Sequence, residues 1–166
     1  MNILMNKKGI ISFKSYNFPA SFGSGGIKLK QKEGDNITPI GTFQLRQVLY
    51  RSDRVSIPYT HLPSRKISAL DGWCDDTTSS KYNLLIKLPT KLKHEILWRN
   101  DHIYDIIVPI GYNDNPIFPS SGSAIFIHLA HSDFRPTRGC IGLKMDAITK
   151  LLKNCDNENY IKIHNS

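Results

Sequence analysis

Ala124-Ile125-Phe126-Ile127-His128-Leu129, followed closely by Pro136-Thr137-Arg138-Gly139-Cys140-Ile141-Gly142, decides how this chain is read. The first segment alternates as a strand does, with Ile125, Ile127 and Leu129 on one face and Ala124, Phe126 and His128 on the other. His128 thus stands at a strand end on the face that is not uniformly aliphatic, where a rigid element can hold an imidazole for catalysis. Taken alone, a strand histidine is more often a packing residue. Its neighbour changes the weighing. Gly139 lets the backbone before Cys140 approach a substrate closely, backbone amides at Gly139 and Cys140 can face a developing oxyanion, and Arg138 adds positive charge. A cysteine thiol titrates near pH 8.5 unperturbed, so a nucleophilic Cys140 needs a base, which His128, twelve residues upstream, can supply if the loop folds back. The commoner fate of a free cysteine is a small buried hydrophobe.

Outward from this segment, short apolar runs between turn signals predict a mainly β chain with a few short helices. Strands are expected at Ile10 to Phe13, Gly26 to Leu29, Thr42 to Tyr50, Tyr104 to Gly111, Ala124 to Leu129 and Tyr160 to Ile163. Pro109 implies an edge position or a bulge. Ser21 to Gly26 reads as flexible, Asp53 to Tyr82 as long loops, and Tyr112 to Ser123 as a long connection. Leu92, Glu95, Ile96 and Arg99 recur at helical spacing, giving a short helix over Lys91 to Arg99. Met145, Ile148, Leu151 and Leu152 mark an amphipathic helix ending near Asn154. With no linker or repeat, residues 1–166 form one domain.

The 166 residues are 40% hydrophobic and 22% charged, ordinary globular values, with a net charge of +8. That balance favours anionic partners such as carboxylate-rich ligands. The lysines are scattered without an aromatic platform, so nucleic acid is not the expected partner. The N-terminus has neither the apolar run of a secretory leader nor a membrane span, which places the chain as written in the cytoplasm, or in the periplasm if a leader was removed. Cys74, Cys140 and Cys155 fit neither a disulfide framework nor a zinc pattern. His131 follows His128 by three residues and points to the opposite face, so no metal is expected.

Together these residues resemble the L,D-transpeptidase catalytic domain family of the YkuD type. Its motif has a histidine at a strand end followed by Ser/Thr-His-Gly-Cys, here His128 and Thr137-Arg138-Gly139-Cys140. Thr38-Pro39-Ile40-Gly41-Thr42-Phe43 looks like its Thr-Pro-x-Gly-x-Phe segment, and Asp71 to Asp76, Gly111 to Asp114 and Gly122 to Phe126 resemble a compact branch. The resemblance implies a β-sandwich or barrel with the catalytic cysteine in a cleft and no cofactor. It also implies attack on the L,D bond between diaminopimelate and D-alanine in a peptidoglycan stem peptide or muropeptide. The acyl group then passes to water, as in an L,D-carboxypeptidase of muropeptide recycling, or to an amine, as in a transpeptidase. Three departures stand out: Arg138 replaces the family histidine, Leu129 a small residue after the first histidine, and Gly142-Leu143 the arginine that usually follows the cysteine.

Candidate substrate-binding residues are Asp75 and Asp76, for the ammonium of diaminopimelate, with Tyr112, Asn113 and Thr137 along the cleft. Asp75-Asp76 also suits an Asx-turn, and Asn113-Asp114-Asn115-Pro116 a plain turn. Arg51, Arg54 and Arg99 are candidates for substrate carboxylates. A sortase-like enzyme would need an arginine after the cysteine, and none follows Cys140. A cationic glycan- or peptide-binding module with a structural Cys140 is the non-catalytic alternative.

Overall fold

The structure is a computed structural model that describes residues 2–166. At its centre β13 (Phe126–Leu129) pairs antiparallel with β12 (Ile106–Pro109) and parallel with β14 (Ile141–Leu143). From β14 the sheet continues through β3 (Tyr16–Ser21), β2 (Ile10–Phe13), β1 (Ile3–Met5) and β15 (Tyr160–Ile163) to β6 (Gly41–Gln44). From β12 it continues the other way through β7 (Val48–Tyr50) to β8 (Ser64–Lys66).

The expected strand Thr42 to Tyr50 is therefore split between two places. Its first half, β6, pairs with β15, and its second half, β7, pairs with β12. One bent segment thus joins both ends of the sheet and curls it towards a barrel. The bend has a local cause. Between the pairs Ile107↔Leu49 and Ile110↔Leu45, three residue steps on one strand face four on the other. This is a bulge opposite Pro109, one of the two settings its missing N–H requires.

The alternation of β13 divides two cores. Ile125, Ile127 and Leu129 join the larger cluster with Ile3, Met5, Ile11, Phe13, Val108, Ile141, Leu143 and Ile161. Helix α1 (Met145–Lys153) packs Ala147, Ile148, Leu151 and Leu152 onto that cluster, with Asn154 as its C-cap. Full burial of each large aliphatic side chain contributes roughly 1.5–3 kcal/mol. On the other face, Ala124 and Phe126 meet Leu49, Ile67, Leu97, Tyr104 and Ile107, with Trp73 and Cys140 packed against them.

Three sequence expectations fail for identifiable reasons. Lys91 to Arg99 contains β11 (His94–Ile96), which with β10 (Leu85–Lys87) flanks β9 (Asp71–Cys74) in a second small sheet. The apparent helical spacing hid a period of two: Leu97 is buried and Ile96 exposed, and Glu95 pairs with Trp73. The region Asp53 to Tyr82 holds β8 and β9 rather than loops alone, with buried Asp71 accepting from Arg65 (3.1 Å) and Lys87 (2.6 Å). Ser21 to Gly26 is not a free tether: Thr137 N donates to Phe22 O and Ser24 N to Thr137 O, both at 2.9 Å. The short strands β1 and β3 carry no clear signal in the sequence.

Candidate active site

The parallel register Ile127↔Ile141 and His128↔Gly142 fixes the geometry that the motif needs. Residues opposite one another in a ladder face the same way, so Cys140, level with Phe126, points to the same side as His128 two positions further along. Both line one cleft of about 1000 Å³.

The loop that delivers Cys140 is held from several sides. Thr137 Oγ1 donates to Cys140 O (2.6 Å) and accepts from Gly139 N (3.1 Å). Thr38 Oγ1 donates to Gly139 O (2.8 Å) and accepts from Gly23 N (2.9 Å). Gly139 has φ +129°, and a Cβ there would stand 2.9 Å from Ile37 O, so glycine is required for both conformation and space. The Thr-Pro-x-Gly segment is thus the buttress of the cysteine loop. Because its N–H is committed to Thr137, Gly139 is not a free oxyanion donor; the sequence had offered that amide for the role.

His128 is buried, and its Nδ1 lies 2.8 Å from Leu129 O. A carbonyl only accepts, so Nδ1 carries the proton and Nε2 keeps its lone pair. Burial pushes the imidazole down to about 4, so it is neutral at pH 7. The Cys140 thiol donates to Ala124 O (3.1 Å) and accepts from Phe126 N (3.4 Å). Burial first, and then the nearby Glu95 charge, push it up to about 12. At rest the cleft holds a neutral thiol and a neutral base rather than a thiolate–imidazolium pair.

Two residues that the sequence reading did not select complete the floor. The Tyr104 ring meets the His128 ring edge-on at 5.4 Å, and its hydroxyl donates to Glu95 Oε1. Burial raises the Glu95 carboxyl above the ordinary range. Glu33, which accepts from Tyr82 and Ser123, lines the same cleft. So does Asp75, whose Oδ1 has no hydrogen-bond partner and whose pKa is raised by burial, with Glu33 adding to the shift. Among cations on the walls, Lys30 is paired with Asp35 (2.5 Å), Arg99 with Asp101 (2.6 Å), and Arg135 contacts His131 Nδ1 (3.0 Å).

The model of the L,D-transpeptidase catalytic domain (YkuD) matches residues 6–163. The chain belongs to that family. No curated protein matches the chain. Among solved structures it is similar to L,D-transpeptidase 1 of Mycobacterium tuberculosis, at 13% identity and a TM-score of 0.44, covering 98% of this chain and 57% of that one. It is also similar to an L,D-transpeptidase from Mycobacterium smegmatis, at 14% identity and a TM-score of 0.46, covering 98% and 58%. The chain therefore spans less than two thirds of the length of both.

Within this YkuD domain the cleft gathers Cys140, His128, Arg138, Thr137 and Asp75. Asp76 instead caps a turn, accepting from Thr78 N (3.1 Å) and Oγ1 (2.7 Å). Asn113 folds its own loop through Phe118 and Gly122, and Tyr112 lines a separate cavity of about 450 Å³ beside Asp114. Arg51 stacks on Trp98 at 3.6 Å and Arg54 pairs with Asp105 at 2.9 Å, so of the three candidate arginines Arg99 alone reaches the cleft. Glu95 and Tyr104 escaped because the helical reading of 91–99 hid which side chains turn inward.

Proposed function

We propose that this YkuD domain is a cysteine L,D-carboxypeptidase: it cleaves the L,D bond between diaminopimelate and D-alanine in stem peptides and passes the acyl group to water. The observation that carries this reading is the shared cleft face of Cys140 and His128, with the imidazole lone pair on Nε2.

Rotation of the Cys140 side chain away from Ala124 O brings the thiol proton to His128 Nε2 as the sulfur attacks the scissile carbonyl. The S–C bond forms as the proton moves, because neither group is ionised beforehand. Arg138 places positive charge beside the developing oxyanion. On collapse the C–N bond breaks and His128 gives its proton to the leaving amine of D-alanine, leaving a thioester. A water molecule then gives a proton to His128 as its oxygen attacks. The C–S bond breaks, and the thiolate recovers the proton. Tyr104, against the imidazole edge, restricts ring rotation through both steps.

The cleft carries Glu33, Asp75, Glu95 and Asp101 beside Lys30, Lys93, Arg99, Arg135 and Arg138, and its carboxylates disfavour an amine acceptor. Glu33, Asp75 and Glu95 hold an entering amine as its ammonium, which has no lone pair for attack, whereas water is unaffected. Carboxylates of the stem peptide are drawn to the cationic residues and the +8 net charge. Incubation with a disaccharide-tetrapeptide, with products read by mass spectrometry, tests the acceptor. Disaccharide-tripeptide and free D-alanine are expected; dimers or exchanged D-amino acids as the main products would sink the hydrolytic reading.

A further inference from the structure

The cation placed nearest the nucleophile along the chain makes no direct ion pair among the described residues, although its charge reaches Glu95 across the cleft. Arg138 lines the cleft as an exposed side chain with no hydrogen bond or ion pair among the described residues. Lys30, Arg99 and Arg135 are each engaged by a neighbouring side chain, and Lys93, the other cation on the wall without a direct pair, is not adjacent to the cysteine loop in the chain. The surroundings of Arg138 are fixed. Thr137 is tied to Phe22, Ser24 and Cys140, and Gly139 to Thr38 and Thr137, so the backbone on both sides of Arg138 is clamped. Its Cα lies within about 7 Å of that of Cys140, the most that two residues of chain can span.

A scissile amide poised at Cys140 brings a second charge into the same space. When the leaving residue is the last of its peptide, its carboxylate carbon is one Cα away from the scissile nitrogen, at about 2.5 Å. When the peptide continues or is crosslinked, that position is a neutral amide. A guanidinium matches a carboxylate with two parallel hydrogen bonds and gains nothing comparable from an amide.

Resting on the carboxypeptidase reading, we infer that Arg138 is a specificity-determining residue that reads the free terminal carboxylate of the leaving D-amino acid. The enzyme is then confined to stem peptides that end one residue beyond the cleaved bond. The same arginine supplies general positive charge to the oxyanion, but that contribution is common to every acyl donor and gives no discrimination between termini.

The test compares a disaccharide-tetrapeptide with its C-terminal D-alaninamide analogue, for the wild type, Arg138→Met and Arg138→Lys. The wild type is expected to favour the free acid by about 10- to 100-fold in kcat/KM, the range of one charge-assisted contact. Arg138→Met is expected to bring that ratio close to one, and Arg138→Lys to keep an intermediate preference. If Arg138→Met slows both substrates equally and preserves the ratio, or if the wild type shows no preference, the inference is overturned while the carboxypeptidase reading stands. If the wild type cleaves neither, both fall together.

Discussion

At the scale of the residue, Cys140 and His128 are each held neutral by burial, the thiol pushed up to about 12 and the imidazole down to about 4. This predicts an unusual alkylation profile. Labelling of Cys140 by iodoacetamide is expected to be slow at pH 7 and to climb steadily above pH 9. A rate plateau reached below pH 7 would show a preformed thiolate–imidazolium pair and contradict the proposed order of proton transfer. After burial, Glu95 is the next contributor to the raised thiol value, so Glu95→Gln is expected to move the labelling profile to lower pH. An unmoved profile would remove Glu95 from the electrostatics of the sulfur. The two members of the motif were legible because His128 and Cys140 are separated by one loop and flanked by a strand pattern. Glu95 was not legible, since a carboxyl between His94 and Ile96 looks solvent-facing until β9 is known to lie beside it.

At the scale of the element, β13 is where the sequence spoke most clearly. Its alternation separates the core with Ile127 from the face with Phe126 and His128, as the two apolar clusters show. The other elements were legible in proportion to their dependence on local pattern. Ile10–Phe13, Tyr160–Ile163 and the helix ending at Asn154 emerge with nearly the expected bounds. The small sheet of β9, β10 and β11 did not, because its strands have three or four residues and are defined by partners distant in sequence. The link between β5 (Thr38–Pro39) and the cysteine loop is likewise tertiary: Thr38 and Gly139 are 101 positions apart. Thr38→Val orphans the buried Gly23 N–H and Gly139 carbonyl. It is expected to cost about 1–3 kcal/mol in urea unfolding and to lower kcat more than it raises KM. Thr38→Ser, which keeps the hydroxyl, should restore most of both. Equal stability of the valine and serine variants would show that the clamp is not energetically significant.

At the scale of the whole molecule, the curled sheet buries a neutral histidine in the wall of the cleft, and this has a consequence for acid stability. The folded value of His128, about 4, lies below the ordinary 6.5, so the unfolded chain binds the proton first as pH falls. Its contribution is complete above pH 6.5, declines between 6.5 and 4, and is lost below that, for a total of about 3 kcal/mol. Urea unfolding at pH 7, 5.5 and 4 should show this decline in the wild type and a flatter dependence in His128→Gln. Identical slopes would contradict it. Asp35, lowered to about 2, extends the acid loss below pH 4, a separate window. The proposed function requires that Cys140 attack the L,D bond. Rapid quenching of the wild type with disaccharide-tetrapeptide, followed by peptide mapping, traps the intermediate of that attack. A tripeptidyl thioester on Cys140 is expected, absent in Cys140→Ala together with all D-alanine release. An acyl group on another residue, or turnover by Cys140→Ala, would contradict it.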